Sequence, residues 1–217
     1  MDELIRWVLD NLNYFTITLA MTIESSFIPF PSEVVVPPAA WLACGPDSNM
    51  NIVLVVVFAT LGADLGALFN YGLAHWLGRP IVYKFANSRL GHICLLSGEK
   101  VEEAEEYFRK HGVASTFFGR LVPAVRQLIS IPAGLARMNL KKFMLYTTIG
   151  AGLWNAVLAF LGYIIRISFP DIETKEDVVE LASTYSHEIG YGILAIVGVV
   201  AVYLIIKHYR KKAKSNK

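Results

Sequence analysis

The sequence predicts an all-α integral membrane protein with two opposed re-entrant hairpins, each made from a broken helix. Its 217 residues are 54% hydrophobic with a mean hydropathy of +0.46, which is typical of a membrane domain. Two apolar runs are interrupted by prolines and charges, and three others are long and nearly free of charge. We expect one membrane domain over residues 1–217, with about three transmembrane helices, surface amphipathic helices and an inverted-repeat-like arrangement of the hairpins.

Two amphipathic segments are expected to form surface helices. Over about residues 2–13, apolar residues recur at helical spacing with acids between them, which favours a helix lying along the membrane interface. Between residues 97 and 112, acids at the start and cations at the end complement the helix dipole, and Gly112 supplies a stop.

The apolar run at residues 14–44 is predicted to be the first hairpin. It contains the carboxylates of Glu24 and Glu33 and is broken at Pro29 and Pro31. Proline removes a backbone donor and stops a helix. Non-helical backbone survives at membrane depth only where protein or a water-filled cavity covers it. The interruption therefore indicates a functional turn.

The long apolar runs at about residues 52–77, 143–169 and 189–206 are predicted to cross the membrane. At ~1.5 Å per residue, each is long enough to traverse most or all of the ~30 Å of hydrocarbon. Asp64 lies in the middle of the first run. The acidic segment at 171–188 is expected to be a loop.

The run at residues 113–138 is the second predicted hairpin. It is interrupted at Pro123 and carries Arg120 and Arg126. On one straight helix, two residues six apart lie on nearly opposite faces. Because Pro123 breaks the helix, both guanidinium groups can turn toward one point, and Arg126 is expected in the first turn of the helix that restarts.

The cations predict which side of the membrane each segment occupies. Of the 20 lysines and arginines, six lie in residues 78–112, three in 137–142 and six in the tail at 207–217. By the positive-inside rule these segments, including the C-terminus, are cytoplasmic. The second hairpin then enters from the inside and the first from the outside, so that their tips meet.

Short similarities favour an internal repeat. Residues 38–43 (PAAWLA) resemble residues 132–136 (PAGLA), and residues 62–65 (GADL) resemble residues 150–153 (GAGL). Many secondary transporters build a binding site from inverted repeats whose broken helices meet near the midplane.

Five ionisable residues are predicted to lie at membrane depth: Glu24, Glu33, Asp64, Arg120 and Arg126. Each costs about 2.5–3.5 kcal/mol on insertion scales, so a chain of this length is expected to pair them or to use them. One interpretation is structural, with buried ion pairs that hold the hairpins in register. Such pairs are weak stabilisers compared with apolar packing.

The functional interpretation is a phosphate site. Arg120 and Arg126 are expected to bind the phosphate, because each guanidinium group can donate two parallel hydrogen bonds. Glu33 and Asp64 are expected to pair with the arginines in the empty state, and one or both are expected to take up a proton when phosphate displaces them. Glu24 is interpreted either as a gate or as a partner of the serines that follow it.

These residues resemble the motifs of the DedA family of bacterial inner-membrane proteins, whose domain is also called the VTT or SNARE-associated domain. The matching motifs are E-S-x-x-x-P-x-P-x-E at 24–33, G-x-D-x-G at 62–66 with Tyr71 and Gly72 after it, and F-G-R-x-x-P-x-x-R at 118–126 leading to Ala133, Gly134 and Met138. The resemblance covers about residues 14–162.

The resemblance implies opposed re-entrant hairpins in the bacterial cytoplasmic (inner) membrane and transport or scrambling of lipids, often driven by the proton motive force. It also implies that Glu33, Asp64, Arg120 and Arg126 are the essential residues. We therefore expect a multi-pass flippase for a phosphate-headed lipid, with undecaprenyl phosphate as the first candidate. No catalytic residue, cofactor or metal is expected.

Other functions stay open at this point. A phosphatidylethanolamine or general phospholipid scramblase needs a polar groove open to lipid along its length, whereas a carrier needs a closable pocket. A membrane lipid phosphatase needs a nucleophile or an activated water with a base, and the five histidines are scattered. No nucleic-acid partner is expected, because the cations of the tail follow a span directly and suit anionic lipid. Small residues in the last span permit a homo-oligomer.

Overall fold

The computed structural model describes residues 2–26, 31–46, 48–88, 98–122, 125–172, 174–186, 188, 189 and 192. This part of the chain is helical and contains no strand, which confirms the all-α prediction for it. Its helices are α1 (Asp2–Asp10), α2 (Tyr14–Glu24), a 3-10 turn (Ser32–Val34), α3 (Val36–Ala43), α4 (Ile52–Ala86), α5 (Gly98–Arg120), α6 (Ser130–Leu135), α7 (Leu140–Ser168) and α8 (175–186).

Several predicted features lie outside the described residues. They are the hairpin breaks Pro29 and Pro123, nearly all of the span at 189–206 and the basic tail at 207–217. Pro31 is described, and it directly precedes the 3-10 turn.

Two helices are long and apolar enough to cross a membrane, in agreement with two of the predicted spans. They are Ile52–Gly78 in α4 and Leu140–Ser168 in α7, with mean hydropathies of 2.4 and 1.6. At Gly78 the backbone leaves the helical conformation (φ 68°) before a short continuation of α4. Large apolar side chains on both helices are exposed, among them Leu65 and Leu153. An outward apolar face of this kind suits contact with lipid.

Helix α2 runs parallel to α4. The backbone N–H of Asn51 donates to the hydroxyl of Tyr14 (2.7 Å), at the start of both helices. At the far end of α2, the side-chain amide of Asn70 donates to the carbonyl of Ser25 (3.2 Å). Tyr14 and Asn51 are therefore neighbours, and the chain between them leaves one end of α4 and returns to the same end.

The second half of the chain repeats this arrangement. Helix α5 kinks at His111 (φ −130°, ψ 18°), and the part after the kink runs parallel to α7. The hydroxyl of Thr116 contacts the sulfur of Met138, just before α7 begins (3.6 Å). Further along α7, Gly150 lies against Arg120. The chain from the kink in α5 to Met138 therefore also starts and ends beside the first residues of α7.

Helices α4 and α7 are antiparallel, so the two hairpins start from opposite ends of the molecule. The side-chain amide of Asn155 donates to Thr60 (3.3 Å), near the start of α4 and far along α7. The ring of Tyr71, later in α4, stacks on Phe143 near the start of α7 (4.8 Å between centroids). The short return helices are exchanged between the halves, because α3 packs on α7 and α6 packs on α4.

Glycines allow the closest approaches between these helices. A Cβ atom at Gly62 or Gly66 in α4 would collide with the backbone of α2. A Cβ atom at Gly162 in α7 would collide with the backbone of α3 at Pro37. By contrast, Gly72 in α4 faces open space. The first three glycines are therefore required by packing rather than by backbone flexibility.

The second hairpin ends in a Schellman motif. Arg137 adopts the left-handed conformation (φ 50°), and the N–H of Met138 donates to the carbonyl of Ala133 (3.1 Å). Asn139 then caps α7 by accepting a hydrogen bond from the N–H of Lys142 (3.2 Å). This stop and cap place the start of α7 directly after α6.

The surface helix predicted to end near Gly112 is interrupted at His111, where the backbone is not helical, and a second helical stretch continues to Arg120. One prediction about the polar segments is wrong. The segment at 171–188, expected to be a loop, contains α8. Its residues Val178 and Ala182 are buried against the ends of α3 and α7, which stabilises the helix through an apolar face.

Candidate functional site

Four of the five predicted membrane-depth charges are deeply buried. Glu24 and Arg120 are each 2% exposed, Arg126 is 7% exposed and Asp64 is 9% exposed. Glu33 is half-buried. Burial of charge at this depth is costly unless each group is paired or hydrogen-bonded, so the partners decide what the site is.

Arg126 joins the two hairpins. Its guanidinium group forms an ion pair with Glu24, at the end of α2. It also donates to the hydroxyl of Ser32 in the 3-10 turn (2.7 Å). Its Cζ atom lies 5.4 Å from the centre of the Trp154 ring of α7, within cation–π range. The first hairpin and α7 thus hold one arginine of the second hairpin.

Glu24 accepts a second contact from its own helix end. The hydroxyl of Ser25 donates to its Oε2 atom (2.7 Å). The serine contact was one of the two interpretations drawn from the sequence, and the ion pair with Arg126 adds a role that the sequence did not reveal.

Arg120 lies at the end of α5 and is held by the second hairpin itself. Its guanidinium group donates to the hydroxyl of Ser130, the first residue of α6 (2.9 Å). It attracts the carboxylates of Glu24 and Asp64 and is close enough to Arg126 for the two cations to repel each other. The two arginines therefore act on one region of the protein.

Asp64 lies between α4 and α7. Its Oδ2 atom accepts a hydrogen bond from the hydroxyl of Thr148 (2.7 Å), and Arg120 attracts its charge. Asp64 is thus connected electrostatically to Arg120 without a direct ion pair among the described residues.

The expected pairing of Glu33 with an arginine is not found within the described residues. Glu33 lies in the 3-10 turn, where the hydroxyl of Ser32 is 3.4 Å from its Oε2 atom. The acid that reaches Arg126 is Glu24, because α2 extends to the centre of the molecule and ends at that residue.

Arg126 is not in the first turn of a helix, which corrects a second expectation. Residues 125–129 form turns and α6 begins only at Ser130. The backbone N–H of Arg126 already donates to the carbonyl of Val122 (2.9 Å). The positive charge of the site is therefore supplied by the arginine side chains and not by a helix N-terminus.

Several polar atoms of this centre have no hydrogen-bond partner within the part of the chain that the structure describes. They include Oδ1 of Asp64, Oδ1 of Asn70, and Nε of both Arg120 and Arg126. An unsatisfied buried polar atom costs about 1–3 kcal/mol. These donors and acceptors are available to a bound molecule or to water.

The sequence reasoning missed the uncharged partners of the site. Ser32, Ser130 and Thr148 bind Arg126, Arg120 and Asp64 respectively. Hydroxyl residues are common in membrane helices, where they bond to neighbouring helices, so they do not stand out in a sequence. The available signal is weak: Ser32 directly follows Pro31, and Ser130 lies two residues before Pro132.

The buried charges balance, since two buried arginines lie near two buried acids, Glu24 and Asp64. An anion that enters this region adds charge, and uncompensated buried charge costs several kcal/mol. It must therefore displace a carboxylate from an arginine or arrive together with a proton. The arrangement suits an anion that competes with the internal carboxylates of Glu24 and Asp64.

These features define a helical membrane protein with a balanced ionic centre, and comparison with known proteins places it in a family. Residues 28–164, well over half of the chain, match the VTT domain family. No solved structure matches the chain.

Three curated relatives cover nearly the whole chain. An "Alkaline phosphatase-like protein" of Lactococcus lactis (strain IL1403) is 34% identical over 207 residues, covering 95% of this chain and 92% of that protein. "Undecaprenyl phosphate transporter A" of Bacillus subtilis is 29% identical over 206 residues, covering 95% and 93%. "Protein DedA" of Escherichia coli K12 is 26% identical over 207 residues, covering 94% and 87%. The chain belongs to the VTT domain family and is a DedA-family membrane protein.

Proposed function

We propose that this chain transports a phosphate-headed lipid, with undecaprenyl phosphate as the first candidate, across the bacterial cytoplasmic membrane. The observation that carries the proposal is the buried guanidinium group of Arg126, held between hairpins by Glu24 and Ser32. Arginine suits phosphate because its planar group donates two parallel hydrogen bonds to one anion. The name of the Bacillus subtilis relative supports the choice of lipid.

The proposed domain is the whole of residues 1–217, with two re-entrant hairpins that enter from opposite sides. The parallel pairs α2 with α4 and α5 with α7, together with the antiparallel α4 and α7, support this arrangement. We assign the second hairpin and the C-terminus to the cytoplasm from the distribution of cations.

The proposed mechanism is an exchange of partners. In the empty state Glu24 neutralises Arg126, while Asp64 offsets part of the charge of Arg120. An incoming phosphate binds the guanidinium groups of the arginines and displaces the carboxylates from them. One or both of Asp64 and Glu33 then take up a proton. Asp64 loses the attraction of Arg120, and Glu33 lies next to Ser32, the hydroxyl partner of Arg126. The proton offsets the added negative charge and couples movement of the lipid to the proton gradient. Glu24 competes with the phosphate for Arg126 and has to leave that arginine before the phosphate can bind.

Two alternative functions, a scramblase and a lipid phosphatase, predict different experimental results. A general phospholipid scramblase needs a polar path open to lipid, whereas the lipid-facing groove beside Asp64 is lined almost entirely by apolar side chains. A lipid phosphatase is suggested by the name of the Lactococcus lactis relative. Within the described residues no three histidine, cysteine or acidic side chains are grouped so that they could hold a metal ion.

The test is lipid movement in proteoliposomes that contain the purified protein. Labelled undecaprenyl phosphate and labelled phosphatidylethanolamine are followed across the bilayer, with and without a pH gradient. We expect only the polyprenyl phosphate to move, and to move faster with the gradient. Arg126→Ala should abolish the movement, and Arg109→Ala, at an exposed arginine of α5, should leave it intact.

The other outcomes identify the alternatives. Equal movement of both lipids without a gradient would establish a scramblase. Release of inorganic phosphate from the polyprenyl phosphate would establish a phosphatase. If neither lipid moves and no phosphate is released, the proposed function is wrong.

A further inference from the structure

A groove of about 660 Å³ opens on the lipid-facing side of α2 and α4. Its lining includes Tyr14, Phe58, Leu61, Asp64, Leu65 and Leu68. Apart from Asp64 and one threonine, all of the lining side chains are apolar or aromatic. The ring of Tyr14 stacks on that of Phe58 (5.0 Å between centroids) at the end of the groove farthest from Asp64.

Asp64 distinguishes this groove from the rest of the lipid-facing surface. Its carboxylate is nine-tenths buried, and its Oδ1 atom has no hydrogen-bond partner among the described residues. Arg120, a member of the ionic centre, attracts its charge. The groove therefore connects the membrane surface of the protein to the ionic centre, with Asp64 at the junction.

The size of the groove fits a hydrocarbon chain rather than a headgroup. The groove extends along α4 from Phe58 to Leu68, which are ten residues apart. At ~1.5 Å per residue, this part of the helix is about 15 Å long. This is about half of the ~30 Å thickness of the hydrocarbon core. Asp64 lies toward the Leu68 end, and the opposite end reaches Tyr14, where the first hairpin begins.

The corresponding surface of α7 has no carboxylate. Matching residues 62–65 to residues 150–153 places Gly152 at the position of Asp64. Leu61 and Leu65 then correspond to Ile149 and Leu153, which are exposed to nearly the same extent, 47% and 53% against 49% and 48%. Apolar surface is therefore present on both helices, and only α4 combines it with a buried carboxylate.

We propose that this groove binds the hydrocarbon tail of the transported lipid, while Asp64 marks the junction between tail and phosphate. The inference rests on the proposed function. An anionic head matches the ionic centre, where Arg120 attracts Asp64 and lies close to Arg126. An apolar chain matches the remaining lining, so one molecule satisfies both parts. An ordinary acyl chain of the bilayer would satisfy only the apolar part and would cover α7 equally well.

The first experiment uses unmodified protein in vesicles and a polyprenyl phosphate that carries a photoreactive diazirine in its tail. After irradiation, the crosslinked peptides are identified by mass spectrometry. We expect crosslinks to α2 and α4 at residues that line the groove, and we expect excess unlabelled polyprenyl phosphate to remove them. Crosslinks spread equally over the exposed faces of α4 and α7, or not reduced by competitor, would overturn the proposal.

The second experiment fills the groove. Leu61→Trp and Leu65→Trp are expected to reduce transport at least tenfold, and the matched variants Ile149→Trp and Leu153→Trp less than twofold. Equal effects of the four variants would overturn the proposal. If the wild-type protein does not transport polyprenyl phosphate but shows competed crosslinks, the proposed function fails and the tail site stands. Transport without competed crosslinks would refute the tail site alone.

Discussion

The two halves of the molecule have similar architecture and opposite charge. In each half, a hairpin leaves and returns to one end of a long helix, and its return helix packs on the long helix of the other half. The first half contributes the acids Glu24 and Asp64, and the second contributes Arg120 and Arg126. Neither half can neutralise its own buried charges. The site therefore exists only when both hairpins are in place.

The largest expected effect comes from removing the arginine that joins the halves. Arg126→Ala leaves Glu24 buried without its partner, which costs about 3–5 kcal/mol for a buried ion pair. We expect lower thermal stability in detergent and complete loss of lipid transport.

The double variant Arg126→Ala with Glu24→Gln separates stability from function. It removes both charges and should recover most of the stability, because no unpaired charge remains. Transport should stay absent, since the phosphate ligand is missing. Transport near the wild-type rate in the double variant would contradict the assignment of Arg126 to the phosphate.

The next largest effect is expected from disturbing the close packing between α2 and α4, the helices that carry Glu24 and Asp64. A side chain at Gly66 would collide with the backbone of α2 and with Ser25, next to Glu24. Gly66→Leu should lower the free energy of unfolding by about 1–3 kcal/mol, the usual cost of overpacking. The control is Gly72→Ala, at a glycine of α4 that faces open space. Thermal unfolding of both variants measures the difference, and equal unfolding temperatures would refute the packing argument.

A smaller effect on stability is expected from neutralising Asp64. In Asp64→Asn the side-chain oxygen can still accept the hydrogen bond from Thr148, so stability should change by no more than about 1 kcal/mol. Transport should lose its dependence on the pH gradient, because an amide does not take up a proton. Glu106→Gln, at an exposed acid of α5, is the control. Unchanged gradient dependence in Asp64→Asn would exclude this acid from the coupling.

The smallest effect on stability is expected at Glu33. It is half-buried, and its contact among the described residues is the long one with Ser32, so Glu33→Gln should change stability by less than about 0.5 kcal/mol. Its role is assigned to proton coupling, so the rate gained from the pH gradient should still fall. Proteoliposome transport measured at equal and unequal pH checks this. A variant that keeps the full gradient effect would leave the coupling to Asp64 alone.

Much of the fold was predictable because it depends on local chemistry. Hydropathy alone identified the helices at 52–77 and 143–169 to within a few residues of their observed bounds. The prolines and charges marked the two interrupted runs. The helix α8 was missed because its acidic segment contains only a few apolar residues. These residues stabilise the helix only by packing against α3 and α7, which the sequence does not show.

The identity of the central residues follows from the amino-acid sequence. A carboxylate or guanidinium group inside an apolar run is expensive wherever the run is placed. The pattern of charge and hydropathy therefore selects Glu24, Glu33, Asp64, Arg120 and Arg126, but it does not show that Glu33 is the least buried of the five. The motifs shared with the DedA family are also short stretches, so they can be recognised in the sequence without the tertiary structure.

The pairing of these residues depends on the tertiary fold. Glu24 and not Glu33 reaches Arg126, because α2 packs closely along α4 at two glycines and ends at the depth of the second hairpin. The turns at 125–129 direct Arg126 toward the first hairpin. Pairing between residues that are distant in the chain depends on helix direction and packing distance. Neither quantity is contained in the local pattern of hydrophobic and charged residues.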